Sequence, residues 1–113
     1  MPIVTVREYV AESGDSLYAR WFQRLDAAAA ARVASAVYRL SEGNFSNTKG
    51  VGAGVFETRI DFGPGYRVYF GKDGELVVIL LGGSTKNDQQ RAIKRAKDAW
   101  VDFKLRKRSG TRN

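Results

Sequence analysis

The spacing of hydrophobic residues predicts a short strand and two helices in the first part of the chain. Residues 3–8 suit a strand with two alternating faces, and Ser13-Gly14-Asp15 has the composition of a turn that caps a helix. We expect the two helices to form a hairpin that buries Trp21 and ends at Glu42-Gly43-Asn44. Their apolar residues recur at helical spacing, as Leu17, Trp21 and Leu25 and, after Asp26, as Ala30, Val33, Val37 and Leu40.

The middle of the chain has the two-residue period of β-strands. Residues 55–62 alternate between apolar and charged side chains, and Gly63-Pro64-Gly65 then turns the chain. Residues 66–70 form the next predicted strand. After a second turn, residues 76–81 are apolar throughout, as expected of a central strand, and Gly82-Gly83 is predicted to end it.

A loop and a last helix complete the predicted elements. The loop is polar, contains glycine and runs over residues 44–54. The helix is expected to start at Asn87 or Asp88 and to run toward Lys104. Its buried stripe contains Ile93, Ala96 and Trp100.

The predicted elements indicate an α+β fold in one domain, and we expect no metal or cofactor. The chain has 113 residues, 43% of them hydrophobic, and we predict one domain over residues 1–105 and a basic, disordered tail over residues 106–113. No apolar run approaches the roughly 20 residues that span a bilayer, so we expect a cytoplasmic protein with no membrane partner. Cysteine and histidine are absent, which excludes disulfides, thiolate metal sites and a serine–histidine relay.

The positive charge is concentrated at the C-terminal end of the sequence. Residues 1–85 contain nine basic and nine acidic residues, whereas residues 86–113 contain ten basic and three acidic ones, so the last quarter carries the whole net charge of +7. Such asymmetry is typical of proteins that bind polyanions. The alternative is a solvated helix face followed by a basic tail.

The strand pattern also predicts a polar patch on one face of the sheet. If Phe56 and Ile60 pack against helices, the opposite face carries Glu57, Arg59, Asp61, Arg67 and Tyr69, with Lys86 beyond the neighbouring strand. Two arginines on adjacent strands repel one another unless they share a carboxylate or a phosphate. The patch is therefore either a phosphate-binding site or a surface ion-pair network with no ligand.

Three stretches of sequence carry a family resemblance. They are Gly54-Val55-Phe56-Glu57-Thr58-Arg59-Ile60, Gly65-Tyr66-Arg67-Val68-Tyr69-Phe70, and Leu80-Leu81-Gly82-Gly83 followed by Lys86 and by Gln89 or Gln90. In combination they resemble the RelE/ParE superfamily of toxins, and within it the HigB-like, phage-derived addiction module killer proteins. The resemblance implies a RelE-like fold, in which an antiparallel sheet curves around a groove, with an N-terminal helical hairpin on one face and a C-terminal helix.

The resemblance further implies a type II toxin that cuts mRNA in the ribosomal A site without metal. In that reaction the ribose 2′-OH attacks the adjacent phosphate, so the substrate supplies the nucleophile and the protein orients it and neutralises charge. A second activity found on this fold, ParE-like inhibition of DNA gyrase without catalysis, is the alternative. The implied partners are the ribosome, mRNA and a helix-turn-helix antitoxin of the HigA type.

The resemblance assigns catalytic roles to four residues. Arg67 matches the arginine that contacts the scissile phosphate, and Arg59 lies where a lysine binds phosphate in RelE. Glu57 replaces a second lysine, and it either takes the 2′-OH proton or only pairs with Arg59. Lys86 is expected to hold the RNA backbone or to protonate the leaving 5′-oxygen.

Further residues are expected to bind RNA. The last helix lacks the tyrosine with which RelE stacks on a base, so Tyr66 or Tyr69 either supplies that ring or simply packs in the protein. Lys49 touches RNA or is a solvated loop residue. The basic residues of the last helix that we expect to bind RNA are Arg91, Lys94 and Arg95.

Overall fold

The computed structural model describes residues 3–110, which form a five-stranded sheet and three α-helices. The elements are β1 (Thr5–Glu8), α1 (Leu17–Gln23), α2 (Ala27–Ser41), β2 (Thr48–Gly52), β3 (Val55–Ile60), β4 (Tyr66–Lys72), β5 (Val77–Thr85) and α3 (Gln89–Gly110). A 3₁₀ turn, Lys86–Asp88, joins β5 to α3. None of the helices in this part of the chain is long and apolar enough to cross a membrane.

Local side-chain contacts explain where the first two helices begin. The Ser16 side chain accepts a hydrogen bond from the Ala19 amide, and Asp26 does the same for the Ala29 amide. Each therefore satisfies one of the free amides of a first helical turn. Helix α2 ends at Ser41, and its cap residue Glu42 is followed by Gly43, which has a φ of 81°. Both predicted helices are thus present, and Ser16 is the first cap rather than the preceding turn.

The sheet has the order β1-β5-β4-β3-β2 and is mixed. Strand β1 runs parallel to β5, whereas the other neighbours are antiparallel. The α+β class is confirmed, but the expectation of a wholly antiparallel sheet is wrong at this edge. Because β5 is buried along most of its length, it needs a hydrogen-bonded neighbour on each side, and β1 supplies the second one.

Several predicted boundaries differ from the structure. The loop predicted over residues 44–54 contains β2, an edge strand paired only with β3. Strand β5 continues beyond Gly82-Gly83 because a register shift at Tyr69/Phe70 absorbs the irregular Gly82, whose φ is 150°.

Helix α3 extends beyond the predicted start of the tail. Arg106 pairs with Asp102 at 2.9 Å and also bonds the carbonyl of Val10, and Lys107 pairs with Asp73. These contacts fix the last turns to the rest of the molecule. The predicted disorder of residues 106–110 is therefore wrong, and the remainder of that tail, residues 111–113, lies outside the described part of the chain.

The sheet separates two hydrophobic cores. Helices α1 and α2 cover one face through residues such as Tyr18, Val33 and Leu40, which meet Val68 and Phe70 of β4. Helix α3 covers part of the other face. That second core contains Tyr69, Ile79, Leu81, Ala96 and Trp100. The polar patch predicted from the strand pattern must therefore lie on the part of the second face that α3 does not cover.

Two tryptophans, one on each face, lie directly on glycines of the sheet. A Cβ atom added to Gly83 would lie 2.3 Å from the Trp21 ring, and one added to Gly71 would lie 2.5 Å from the Trp100 ring. Both distances are far below van der Waals contact. The two glycines therefore occur within strands because only a hydrogen atom fits beneath each indole.

We predict that Gly71→Ala and Gly83→Ala each lower the free energy of unfolding by about 1–3 kcal/mol, because the added methyl overpacks the core. Urea unfolding followed by tryptophan fluorescence measures the change. Gly50→Ala is the matched control, since the nearest atom to its new Cβ is 3.9 Å away and its φ is not positive. Equal losses at all three positions would contradict the packing argument.

Candidate functional site

The pairing of β3 with β4 brings the predicted charged residues together. Arg59 lies opposite Arg67 and Glu57 lies opposite Tyr69 in an antiparallel register. The intervening residues Ile60 and Val68 pack in the core beneath α1 and α2. The face predicted from the alternation is therefore confirmed, although α3 covers the Tyr69 end of it.

A single buried carboxylate lies at the centre of this cluster. Glu57 is 0% exposed, and its Oε2 atom is 3.7 Å from Arg59 Nε, 3.8 Å from Arg67 Nε and 3.9 Å from Lys49 Nζ. Its Oε1 atom accepts a hydrogen bond from Gln89 Nε2 at 3.3 Å. One negative charge is thus shared among three positive ones, which leaves two positive charges in excess.

The cluster also contains unused hydrogen-bonding capacity. Among the described residues, neither Glu57 Oε2 nor Arg67 Nε has a hydrogen-bond partner, although both atoms are buried. Arg67 Nη1 donates only to the adjacent carbonyl of Tyr66 at 3.2 Å. Native proteins rarely leave such groups unsatisfied unless they have a function or bind something. Arg67 lines the groove described below, so an anion that approaches it there would meet excess positive charge.

A groove of about 810 Å³ opens beside this cluster, between α2 and the β2–β3–β4 edge of the sheet. Asp61 is the acidic residue in its lining. The basic residues in the lining are Arg32, Arg39, Lys49, Arg59, Arg67 and Lys86. Five of these six come from residues 1–85, the part of the sequence with no net charge. Folding therefore creates a positive surface that the distribution of charge along the sequence did not indicate.

Four of the predicted RNA-binding or catalytic cations meet in this groove, but the helix residues do not. Lys49, Arg59, Arg67 and Lys86 line it, with Glu57 beneath. The three basic residues predicted from α3 lie elsewhere. Arg91 is in a separate cavity that shares only Lys86 with the groove, Arg95 lines a cleft beside Trp21, and Lys94 is exposed and pairs with Asp98 at 3.6 Å.

The rings of Tyr66 and Tyr69 are both buried. This favours packing in the protein over stacking on a base. Tyr66 is 8% exposed and contacts the edge of Trp21. Tyr69 is fully buried, its hydroxyl lies 2.9 Å from Ser84 Oγ, and burial raises the pKa of the phenol. Both residues are on β4, and their rings lie in the two cores, Tyr66 in the first and Tyr69 in the second.

The sequence analysis did not identify two residues of the groove, Arg32 and Arg39. Both are on α2, and with Ser35 they form a stripe at i, i+3 and i+7 beside the buried stripe of that helix. This helical spacing is the feature of the sequence that could have identified the stripe. It could not show which part of the sheet the stripe would face, because that depends on the tertiary packing.

No cluster of three or more histidine, cysteine, aspartate or glutamate side chains that could hold a metal ion occurs within residues 3–110. The chemistry available at the groove is that of arginine and lysine cations with the carboxylates of Glu57 and Asp61. Such a set binds phosphate and can move a proton.

One relative matches about two thirds of the chain. The sequence is 44% identical over 78 residues to an uncharacterized protein of Haemophilus influenzae, a match that covers 68% of this chain and 79% of the relative. The chain belongs to the same family as that protein. No model of a known protein family matches the sequence.

Proposed function

We propose that this protein is a toxin of the RelE/ParE type with a RelE-like fold, which cleaves mRNA on the ribosome. The observation that carries the proposal is the buried Glu57 carboxylate, which is shared among Lys49, Arg59 and Arg67, three cations that line a basic groove. The excess positive charge of these cations favours a phosphate there. This is also the position at which the sequence resemblance expects the scissile phosphate.

The residues of the groove suit transesterification by the ribose 2′-OH. A bond forms between the 2′-oxygen and phosphorus while the bond from phosphorus to the 5′-oxygen breaks, leaving a cyclic phosphate and a 5′-OH. Arg67 and Arg59 donate to the non-bridging oxygens, whose negative charge grows in the transition state. Lys86, exposed at the same groove, gives a proton to the departing 5′-oxygen.

The burial of Glu57 supports a positioning role for it within this proposal. A carboxylate that is 0% exposed and close to three cations is placed to hold the arginines rather than to touch the substrate. Asp61 is exposed and lines the groove, so it can accept the 2′-OH proton without any buried charge being uncovered. Glu57 is thus a positioning residue, and Asp61 is the proposed base.

The proposal includes a protein partner. A groove with six basic residues suits an acidic segment of an inhibitor. We propose a helix-turn-helix antitoxin of the HigA type in this role and a cytoplasmic site of action on the ribosome.

The wild-type protein is expected to cut mRNA only where a ribosome holds it. Adding the protein to a translating extract should create new mRNA 5′ ends at A-site codons, which primer extension maps. The same mRNA without ribosomes should stay intact. A 2′-O-methyl group on the nucleotide before the cut should abolish cleavage there, because it removes the nucleophile.

Two results would contradict this function. Cleavage that persists at the 2′-O-methylated nucleotide would exclude attack by the 2′-OH. Growth arrest with intact mRNA and damaged DNA would instead favour inhibition of DNA gyrase.

A further inference from the structure

The groove has a second wall that the proposed chemistry does not use. Arg32, Ser35 and Arg39 project from one stripe of α2 into the same groove as Arg59 and Arg67. Arg32 and Arg39 lie seven residues apart, which on a helix is about 10 Å. The cations of the groove therefore extend well beyond the reach of a single phosphate.

The two α2 arginines have no acidic partner. Among residues 3–110, no carboxylate lies within 4.0 Å of either guanidinium, whereas Arg20, Arg91 and Arg106 each have one. Arg32 is instead held against the ring of Phe62, with its Cζ 4.6 Å from the ring centroid. This contact orients the cation and leaves its hydrogen-bond donors free.

The rest of the lining indicates the kind of ligand. Ser35, Ser46, Asn47 and Thr48 add uncharged hydrogen-bonding groups, and the lining contains no aromatic ring on which a base could stack. A volume of about 810 Å³ is that of a small-molecule site and is too small for a duplex. The groove therefore fits the sugar–phosphate backbone of a single strand, held by charge rather than by stacking.

We propose that Arg32 and Arg39 form a second phosphate-binding subsite, which holds the backbone of single-stranded RNA away from the scissile phosphate at Arg67. The subsite rests on the proposed function, since it takes the same RNA strand. It makes binding tolerant of base sequence, because the recognised groups are phosphates. The subsite also divides the groove by role. Helix α2 contributes residues that bind RNA, and β3 and β4 contribute residues that take part in the chemistry.

Salt dependence measures the subsite directly. For single strands, each phosphate contact contributes about 0.7 to the slope of log K against log [salt]. The double variant Arg32→Ala/Arg39→Ala should therefore lower the magnitude of that slope by about 1.4 and weaken binding roughly 25-fold at 0.1 M salt. Fluorescence anisotropy of a labelled oligouridylate over a series of KCl concentrations gives both values.

Catalysis provides a second readout. Because the α2 arginines bind substrate and transition state alike, the double variant should raise KM and leave kcat close to that of the wild type. The matched control is Arg20→Ala/Arg24→Ala, which removes the same charge from exposed positions of the α1 region outside the groove. Its salt slope should equal that of the wild type.

The outcomes separate this inference from the proposed function. If the wild type binds and cleaves RNA but the α2 variant keeps the full slope, the subsite is wrong and the function stands. If the control lowers the slope as much as the α2 variant, net charge explains the effect and the subsite is again wrong. If the wild type neither binds nor cleaves RNA, the proposed function fails and the subsite fails with it.

Discussion

Replacing Arg67 with alanine is expected to lower the rate of mRNA cleavage by about 10²–10³-fold, the loss typical when one donor to a developing oxyanion is removed. Arg67 is the cation most deeply placed in the cluster, since its side chain is 6% exposed against 55% for Arg59. Its charge is therefore screened least by water. Single-turnover cleavage on stalled ribosomes measures the loss, because it isolates the chemical step from product release.

Folding must be separated from chemistry in this experiment. Because Arg67 is buried beside Glu57, the alanine variant is less stable as well as less active. Arg67→Lys retains the charge but lacks the planar fork of donors, so it should fold and still lose much of the activity. The matched control is Arg20→Ala, an exposed arginine paired with Asp15. A folded Arg67→Lys or Arg67→Ala protein with wild-type cleavage would contradict the proposed chemistry.

The parts of the fold that sequence predicts well are those that neighbouring residues determine. Helix α2 begins at Asp26 because that side chain caps an amide three residues later, and its buried face repeats at helical spacing. The alternation in β3 likewise predicted which residues would face the helices. Both signals act within one or two turns of chain, so a single sequence contains them.

The parts that the sequence did not predict depend on distant contacts. Strand β2 is polar and rich in glycine, and it is a strand because β3 offers it a free edge. Residues 106–110 are helical because Asp73 and Val10, far away in sequence, bind their side chains. Propensity and periodicity do not encode such partners.

The candidate site, too, could be predicted from the sequence only in part. Strand alternation placed Glu57, Arg59 and Arg67 on one face correctly, but the charge count favoured the last 28 residues as the basic surface. The structure gives the groove its charge mostly from residues before position 86. A sum of charges along the sequence cannot show which cations become neighbours. The acidic residues before position 86 lie mainly outside the lining of the groove.

Replacing Glu57 with alanine is expected to lower the free energy of unfolding by about 3–5 kcal/mol, the usual cost of removing one partner of a buried ion pair. Arg67 would then be buried without a counterion, and it would remain near Arg59 on the opposite strand. Urea unfolding gives the value. Asp98→Ala is the control, since that carboxylate also pairs with a cation but is 74% exposed, and it should change stability by less than 1 kcal/mol.

A double-mutant cycle tests whether Glu57 acts by holding Arg67. Glu57→Gln and Arg67→Met should each destabilise the protein, and the combined variant should be more stable than the sum of the two losses predicts, because neither buried charge is then left alone. Additive losses would show that the two side chains stabilise the fold independently. The single-turnover rate of cleavage supplies the second criterion. If Glu57 positions the arginines and Asp61 takes the proton, Asp61→Asn should lower that rate without destabilising the protein, whereas Glu57→Gln should lower both.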